Sequence, residues 1–236
     1  MPIHAVKLLL ACALCASTLS TAAHAQAKYD KGASNTEVKI GNSMPYSGPA
    51  SVYGVQGKVI SGYFKMLNER NGINGRTINF LSYDDQYSPP KTVELARRLV
   101  EQDEVLGLFA MLGSGPNSAI NRYVNAKKVP NLFASVGTSK FNNPKDNPWT
   151  VPFLPSYEVE GRLYAQNILK TKPNAKIAVL YQNDDFGKDL LRGLKAGLGD
   201  KAKEMLVFET SYEVSDPQID SQIVQMQSSG ANVVVR

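Results

Sequence analysis

Residues 176–198, KIAVLYQNDDFGKDLLRGLKAGL, carry the pattern that decides the fold class. The stretch opens on an uninterrupted apolar run, Ile177 to Leu180, which is typical of a strand buried on both faces, as in a parallel sheet. Leucines at helical spacing follow, from Leu190 through Leu194 to Leu198. A buried strand that leads directly into an amphipathic helix indicates a βαβ unit.

The same alternation of strand and helix recurs along the chain. The predicted strands are Val38–Ser43, Thr77–Tyr83, Val105–Met111, Val129–Ala134, Lys176–Tyr181, Met205–Tyr212 and Asn232–Val235. Segments with helical spacing of apolar residues separate most of them. We therefore predict an α/β fold built from doubly wound parallel sheets.

A proline-rich segment divides this pattern in two. Between Asn143 and Ser156, four prolines fall within 12 residues. Because proline cannot continue a helix or a central strand, the segment is predicted to be a crossover between two α/β lobes, residues 37–155 and residues 156–236. The second lobe is short for a doubly wound domain and ends in an apolar strand, so we expect it to be truncated.

The first 25 residues have the three-part organisation of a secretory signal peptide. Lys7 precedes an apolar run from Leu8 to Leu19, and small residues surround His24. We predict cleavage after Ala25 and export to the periplasm, with residues 26–36 as a polar lead-in. The alternative is lipoprotein processing at Cys12, since the preceding Leu-Leu-Ala loosely resembles a lipobox.

Cleavage at that position would leave a mature chain without cysteine or histidine, because Cys12, Cys15, His4 and His24 all precede it. This excludes a disulfide framework, a cysteine nucleophile, a Cys/His zinc site and a Ser-His-Asp triad. Basic residues do not cluster, so no nucleic-acid partner is predicted. No mature segment has 18 consecutive apolar residues, so none is predicted to span a membrane.

Two acidic pairs, Asp84-Asp85 and Asp184-Asp185, each follow a predicted strand. Catalytic and metal-binding carboxylates often lie at this position in α/β proteins, so a cation site or a carboxylate-based hydrolase is one interpretation. Capping of the next helix is the interpretation we favour, because its first N–H groups need acceptors. Walker, G-x-G-x-x-G and G-x-S-x-G motifs are absent. We predict a protein that is not an enzyme and that uses no cofactor or metal.

Three glycine- and hydroxyl-rich loops follow predicted strands and point to a ligand cleft. The loop from Gly113 to Ser118 opens a helix, whose free N–H groups suit an anion, and without a P-loop lysine a carboxylate fits better than a phosphate. An ordinary strand-to-helix turn is the alternative. The loops Ser135–Ser139 and Pro45–Pro49, the latter followed by Tyr53, would lie at the same edge of the sheet.

Several motifs together resemble one known family. They are Met44-Pro-Tyr-Ser-Gly-Pro49 with Tyr53-Gly54, Asn71 to Arg76, Tyr83-Asp84-Asp85, Tyr181 to Gly187, Asp216 to Gln225, and Gly230-Ala231-Asn232. In this order they resemble the periplasmic leucine/isoleucine/valine-binding proteins, the type I solute-binding components of ABC transporters, over residues 37–236. The resemblance implies a type I periplasmic-binding-protein fold, whose two lobes are joined by a hinge and close on a small solute. The first lobe would be completed by chain returning from the second.

The resemblance also implies the site residues. The loop of Ser114 and Gly115 would hold the solute carboxylate, and the loop from Ser135 to Thr138 would supply a carbonyl and a hydroxyl near the amine. Tyr53 would wall the side-chain pocket, and Phe186 would reach it from the second lobe. Phe186 stands where the family has a tyrosine and cannot donate a hydrogen bond. The motif that contains Phe186, Asn183 to Gly187, and the motif Tyr87 to Lys91 together resemble those of a branch of the family associated with aromatic acids.

These features predict the periplasmic solute-binding component of an ABC importer, monomeric, with membrane permease subunits as its partner. Its solute would be a small carboxylate, either a branched-chain amino acid or a related or aromatic acid. The alternative function is an extracytoplasmic ligand-sensing module of a signalling receptor, which an uncleaved signal anchor would favour.

Overall fold

Two all-parallel sheets form the framework of residues 28–236, the part of the chain that the computed structural model describes. One sheet has five strands in the order β2-β1-β3-β4-β5, and the other has three in the order β7-β6-β8. The strands are β1 (Glu37–Met44), β2 (Thr77–Asp84), β3 (Gly107–Phe109), β4 (Asn131–Ala134), β5 (Thr150–Pro152), β6 (Ile177–Gln182), β7 (Leu206–Tyr212) and β8 (Val233–Val235). The predicted signal peptide, with its cleavage site after Ala25 and the alternative at Cys12, lies outside the described residues.

Helices connect the parallel strands, as the sequence pattern predicts. They are α1 (Gly54–Glu69), α2 (Pro89–Glu101), α3 (Ser114–Lys127), α4 (Tyr157–Thr171), α5 (Asp185–Leu198), α6 (Ala202–Met205) and α7 (Asp220–Ser228). Short 3₁₀ turns at Ser51–Tyr53, Ser139–Asn142 and Gly199–Lys201 complete the connections. Among the described helices, none is both long and apolar enough to cross a membrane.

The stretch 176–198 folds as predicted, into β6 and α5. All four residues from Ile177 to Leu180 are buried, which explains their uninterrupted apolar run. The core of this second lobe joins Ile177 and Val179 of the strand to Leu194 and Leu198 of α5. The βαβ prediction from this stretch is therefore confirmed.

The proline-rich segment contains a strand that the sequence analysis missed. β5 pairs with β4 alone and lies at the edge of the five-stranded sheet, with Pro152 as its last residue. An edge strand tolerates proline because one side of its backbone needs no ladder partner. The predicted crossover from Asn143 to Ser156 therefore includes a short edge strand, Thr150–Pro152, which is absent from the predicted strands.

A separate core cluster lies where the two lobes meet. Ala134, Val136 and Phe141 of the first lobe are buried together with Tyr157, the first residue of α4. Phe186 of α5 also packs against this cluster. This contact brings the start of the second lobe against the carboxyl end of β4, where the candidate loop Ser135–Ser139 lies.

Candidate ligand-binding cleft

The three predicted loops lie side by side because β1, β3 and β4 are consecutive in the sheet. Each loop follows the carboxyl end of one of these parallel strands, and that edge is where open α/β sheets bind ligands. The β3 and β4 loops are joined directly, since the Gly113 N–H donates to the Ser135 carbonyl oxygen over 3.3 Å. The Ser135 hydroxyl then donates to Oε1 of Gln56 on α1, over 3.1 Å.

Ser114 and Thr138 meet at the centre of this edge. The Thr138 hydroxyl donates to Oγ of Ser114 over 2.8 Å, and each residue is only 1% exposed. Ser114 opens α3. The structure thus brings together two hydroxyls that the sequence assigned to separate loops.

The start of α3 leaves backbone donors free beside this pair. The Asn117 N–H donates to the Gly113 carbonyl oxygen, and Pro116 has no N–H. Among the described residues, the N–H groups of Ser114 and Gly115 donate to no backbone acceptor. Two N–H groups at a helix start favour an anion.

The loop that presents these donors is held by Asn117, which the sequence analysis did not single out. Its side-chain amide donates to the carbonyl oxygens of Met111 and Gly113, over 2.9 and 2.8 Å. Gly113 has a φ of 95°, in a region that only glycine adopts without strain. The geometry at Ser114 therefore depends on its neighbours Asn117 and Gly113.

Aromatic side chains of both lobes are candidates for the walls of the cleft. Phe186 comes from the second lobe, and its ring meets the ring of Tyr157 edge-on, with centroids 4.7 Å apart. Tyr53 ends a 3₁₀ turn of the first lobe and is 58% exposed. The predicted aromatic residues thus lie on opposite lobes, while Tyr157 was missed.

Tyr87 is a second aromatic residue that the sequence analysis did not assign to the site. Burial raises the pKa of its phenol, Asp184, Tyr157 and Tyr53 raise it further, and a hydrogen bond with Gln182 opposes the rise. Gln182, at the end of β6, donates to the Tyr87 hydroxyl over 3.4 Å. The phenol therefore lies between the lobes and touches groups from both.

A strained turn holds Tyr87 in position. Gln86 and Tyr87 both have left-handed backbones, with φ of 56° and 60°. Their N–H groups donate to Asp84 and Asp85, over 3.0 and 2.9 Å. The Tyr87 ring lies against Gly113, where an added Cβ would come within 2.5 Å of it. The acidic pair followed by Gln86 and Tyr87 was the only signal for this turn in the sequence. That pattern alone does not predict where the tyrosine side chain lies.

The acidic pair Asp84-Asp85 organises this turn and does not cap α2. Ser47 donates to Asp84 through its hydroxyl and its N–H, and Ser43 donates to the buried Asp85 over 2.7 Å. Burial raises the pKa of Asp84, but the bonds from Ser47, Gln86 and Tyr46 outweigh it and hold the pKa below its ordinary value. Ser88 precedes α2 and no side chain caps it, so the capping prediction was wrong for this pair.

The second pair behaves differently at its two residues. Asp184 caps α5 as predicted, by accepting from the N–H groups of Phe186 and Gly187 over 2.9 and 3.3 Å. Its other oxygen accepts from Gln182 over 2.6 Å. Burial raises its pKa, although these hydrogen bonds oppose the rise. Within residues 28–236, no cluster of three or more acidic, histidine or cysteine side chains could hold a metal ion.

Asp185 reaches the first lobe. It accepts from Nζ of Lys140 over 2.6 Å and from the Ser118 hydroxyl over 2.9 Å. Burial raises the pKa of Asp185, but these bonds and the Lys140 charge outweigh it and leave the pKa below its usual value.

One turn further along α5, Asp189 makes a second contact with the first lobe. It is 2% exposed and accepts from the Ser139 N–H over 2.7 Å. The side chain of Arg192 also pairs with it. Together with Asp185, this residue ties α5 to the 3₁₀ turn Ser139–Asn142.

Comparison with known proteins identifies the family. The family model for periplasmic binding proteins matches residues 37–236. A Leu/Ile/Val-binding protein homolog of Brucella suis is 24% identical over 212 residues, 86% of this chain and 52% of that protein. The chain thus spans about half the length of this relative.

Solved structures agree on the fold. A branched-chain amino acid ABC transporter protein of Thermus thermophilus with bound valine superposes with a TM-score of 0.72 at 19% identity, over 84% of this chain and 52% of that one. A solute-binding protein of Rhodopseudomonas palustris in complex with 3,4-dihydroxybenzoic acid gives 0.70 at 21% identity, over 84% and 53%. The predicted family and its two-lobed α/β fold are confirmed. The chain belongs to the type I periplasmic binding proteins, the family of the Leu/Ile/Val-binding proteins.

Proposed function

We propose that the protein is the solute-binding component of an ABC importer, acts in the periplasm without catalysis, and captures a small carboxylate between its lobes. The observation that carries the proposal is the anion-compatible start of α3. There, the hydroxyls of Ser114 and Thr138 lie beside two free backbone N–H groups, opposite aromatic residues of the second lobe. Permease subunits in the membrane would receive the solute from a monomeric binding protein.

The solute that fits best is an aromatic carboxylic acid. Aromatic side chains from both lobes meet here: the rings of Tyr157 and Phe186 lie edge-on, and Tyr87 of the first lobe contacts Gln182 of the second. Aromatic pairs gain about 0.5–1.5 kcal/mol beyond their area burial, so a solute ring among them is favoured.

An aliphatic amino acid also needs a partner for its ammonium group. In the described part of the cleft, the carboxylate of Asp184 already accepts from Gln182 and from two N–H groups of α5. An amino acid would therefore compete with bonds that hold the second lobe in place. The 3,4-dihydroxybenzoic acid bound to the Rhodopseudomonas relative is of the chemical class that avoids this competition.

Capture works by stabilising the closed arrangement of the lobes. Only the closed form lets one solute touch Ser114 in the first lobe and Phe186 in the second, so the solute shifts the population toward it. The contacts of Asp185 and Asp189 with the turn Ser139–Asn142 keep the second lobe close to the site. Closure then hides the carboxylate from water and strengthens its hydrogen bonds.

Thermal melts of the whole protein with two sets of acids test this proposal. One set holds valine and leucine, and the other holds benzoate and 3,4-dihydroxybenzoate. A ligand at a hundred times its dissociation constant stabilises by about 2.7 kcal/mol. We expect the aromatic acids to raise the melting temperature. A rise with valine and leucine alone would reject the aromatic solute, and no rise with any acid would reject the carboxylate site.

A further inference from the structure

We infer that Tyr157 is a specificity-determining residue, whose phenol hydroxyl donates to the solute carboxylate beside Ser114. Through this bond, the second lobe would favour a charged carboxylate over a neutral ligand. The inference deepens the proposed function and rests on it.

Tyr157 is anchored to the first lobe although it begins a helix of the second. Its N–H donates to the Gly137 carbonyl oxygen over 2.9 Å. Its side chain is 9% exposed and packs with Val136 and Phe141 of the first lobe and with Phe186 of α5. The ring therefore lies at the junction through which the lobes must move.

The Tyr157 residue borders the loop that carries the hydroxyl pair. Its backbone N–H bonds to Gly137, and the hydroxyl of the next residue, Thr138, donates to Oγ of Ser114 over 2.8 Å. A tyrosine of the second lobe is thus attached, through two consecutive residues of one loop, to the hydroxyl pair beside the free N–H groups of α3.

Gly137 lets the Tyr157 ring approach the loop this closely. An added Cβ at Gly137 would lie 2.9 Å from Cε1 of Tyr157 and 2.2 Å from the Pro155 carbonyl oxygen. Any larger residue would push the ring away from this loop. Phenylalanine at position 157 would fill the same apolar contacts, so packing alone gives no reason for the hydroxyl.

A carboxylate satisfies these donors better than a neutral group does. Its two oxygens offer about four acceptor sites. One oxygen takes the N–H groups of Ser114 and Gly115, and the other takes hydroxyls from Ser114 and Tyr157. Burial raises the pKa of Tyr157, while Gly137 and Ser114 lower it and nearby carboxylates raise it, so the net rise keeps the phenol protonated and able to donate. An amide has one acceptor oxygen and loses the charge-assisted bonds.

Calorimetric titration of a matched acid and amide tests the inference. The probes are benzoate with benzamide, and valine with valinamide as a second pair. The variant is Tyr157→Phe, which keeps the ring contacts. The control is Tyr164→Phe on the same helix, whose phenol bonds to Glu160 at the surface. Melts without ligand check that both variants fold.

We expect Tyr157→Phe to bind the acid about tenfold to a hundredfold more weakly, as for the loss of a bond to a charged group, with little change for the amide. Tyr164→Phe should match the unchanged protein. Equal losses for acid and amide, or no loss for either, would overturn the inference and leave Tyr157 a packing residue. An unchanged protein that binds neither benzoate nor valine would overturn the proposed function, and the inference with it.

Discussion

Replacing Ser114 by alanine should weaken both the fold and carboxylate binding. Ser114 is 1% exposed and accepts from Thr138 over 2.8 Å, so the alanine variant leaves a buried Thr138 hydroxyl without its acceptor. Leaving a buried donor unsatisfied costs about 1–3 kcal/mol of folding free energy. For a protein of this size, about 1 kcal/mol lowers the melting temperature by about 2–4 °C.

The same substitution also removes one donor to the solute. A hydrogen bond to a charged group is worth about 1.5–3 kcal/mol, which is roughly a tenfold to hundredfold loss of affinity. Ser61→Ala is the matched control, because its hydroxyl bonds only within α1, to the Gly57 carbonyl oxygen over 2.9 Å. Melts measure the stability loss and calorimetry measures the affinity loss. If Ser114→Ala bound benzoate as tightly as the control does, the carboxylate would not lie at the start of α3.

Three further substitutions test the scaffold of the cleft. Asp185→Asn should weaken the contact between the lobes near neutral pH. The folded-state pKa of Asp185 is lowered, so the carboxylate stabilises the fold above its ordinary pKa and loses this effect as the pH falls through the folded-state pKa. Thermal melts of the variant and the unchanged protein should therefore converge in acid. Gly113→Ala should cost about 2–4 kcal/mol of stability, because alanine is strained at this positive φ and its Cβ would clash with the ring of Tyr87. Gly75→Ala is the control, since Gly75 also has a positive φ but has open space around it, and it should cost less. Equal losses in denaturant titrations would show that the ring contact does not contribute to the cost. Asp184→Ala should lose about 1 kcal/mol of stability as α5 loses its cap. Asp184→Asn keeps a capping oxygen and loses only the bond from Gln182, so it should lose less, and an equal loss in both melts would mean that the cap has no part in the effect.

Much of the fold could be predicted because burial leaves a clear mark on sequence. The run from Ile177 to Leu180 is apolar throughout since both faces of β6 are covered. Topology then explains why three loops far apart in sequence share one edge, because the carboxyl ends of β1, β3 and β4 are neighbours. The proximity of the loops that carry Ser114 and Thr138 follows from this rule, whereas the hydrogen bond between their hydroxyls does not.

The sequence pattern did not reveal β5, a strand that pairs with only one neighbour. β5 is short and carries proline, and it is a strand because β4 offers it a free edge. Nothing in the local sequence around Thr150–Pro152 encodes that edge. A local pattern therefore underestimates strands whose stability comes from a neighbour.

The missed site residues share a different cause. Tyr87 reaches the cleft because two left-handed residues turn its backbone, and the carboxylates of Asp84 and Asp85 hold that turn. Tyr157 reaches it because Gly137 leaves room for the ring. Both depend on contacts between separate segments, and such contacts have no period that sequence analysis can detect. The local sequence also does not distinguish an acidic residue that caps a helix from one that holds a turn. The capping prediction was therefore right for Asp184 and wrong for Asp84.

A crystal structure of the whole protein with benzoate or 3,4-dihydroxybenzoate bound tests the central claim most directly. We predict that the carboxylate lies within hydrogen-bonding distance of the Ser114 hydroxyl and of the first N–H groups of α3, and that the ring lies against Phe186. A ligand whose carboxylate lies away from Ser114, or outside the space between the two lobes, would contradict it.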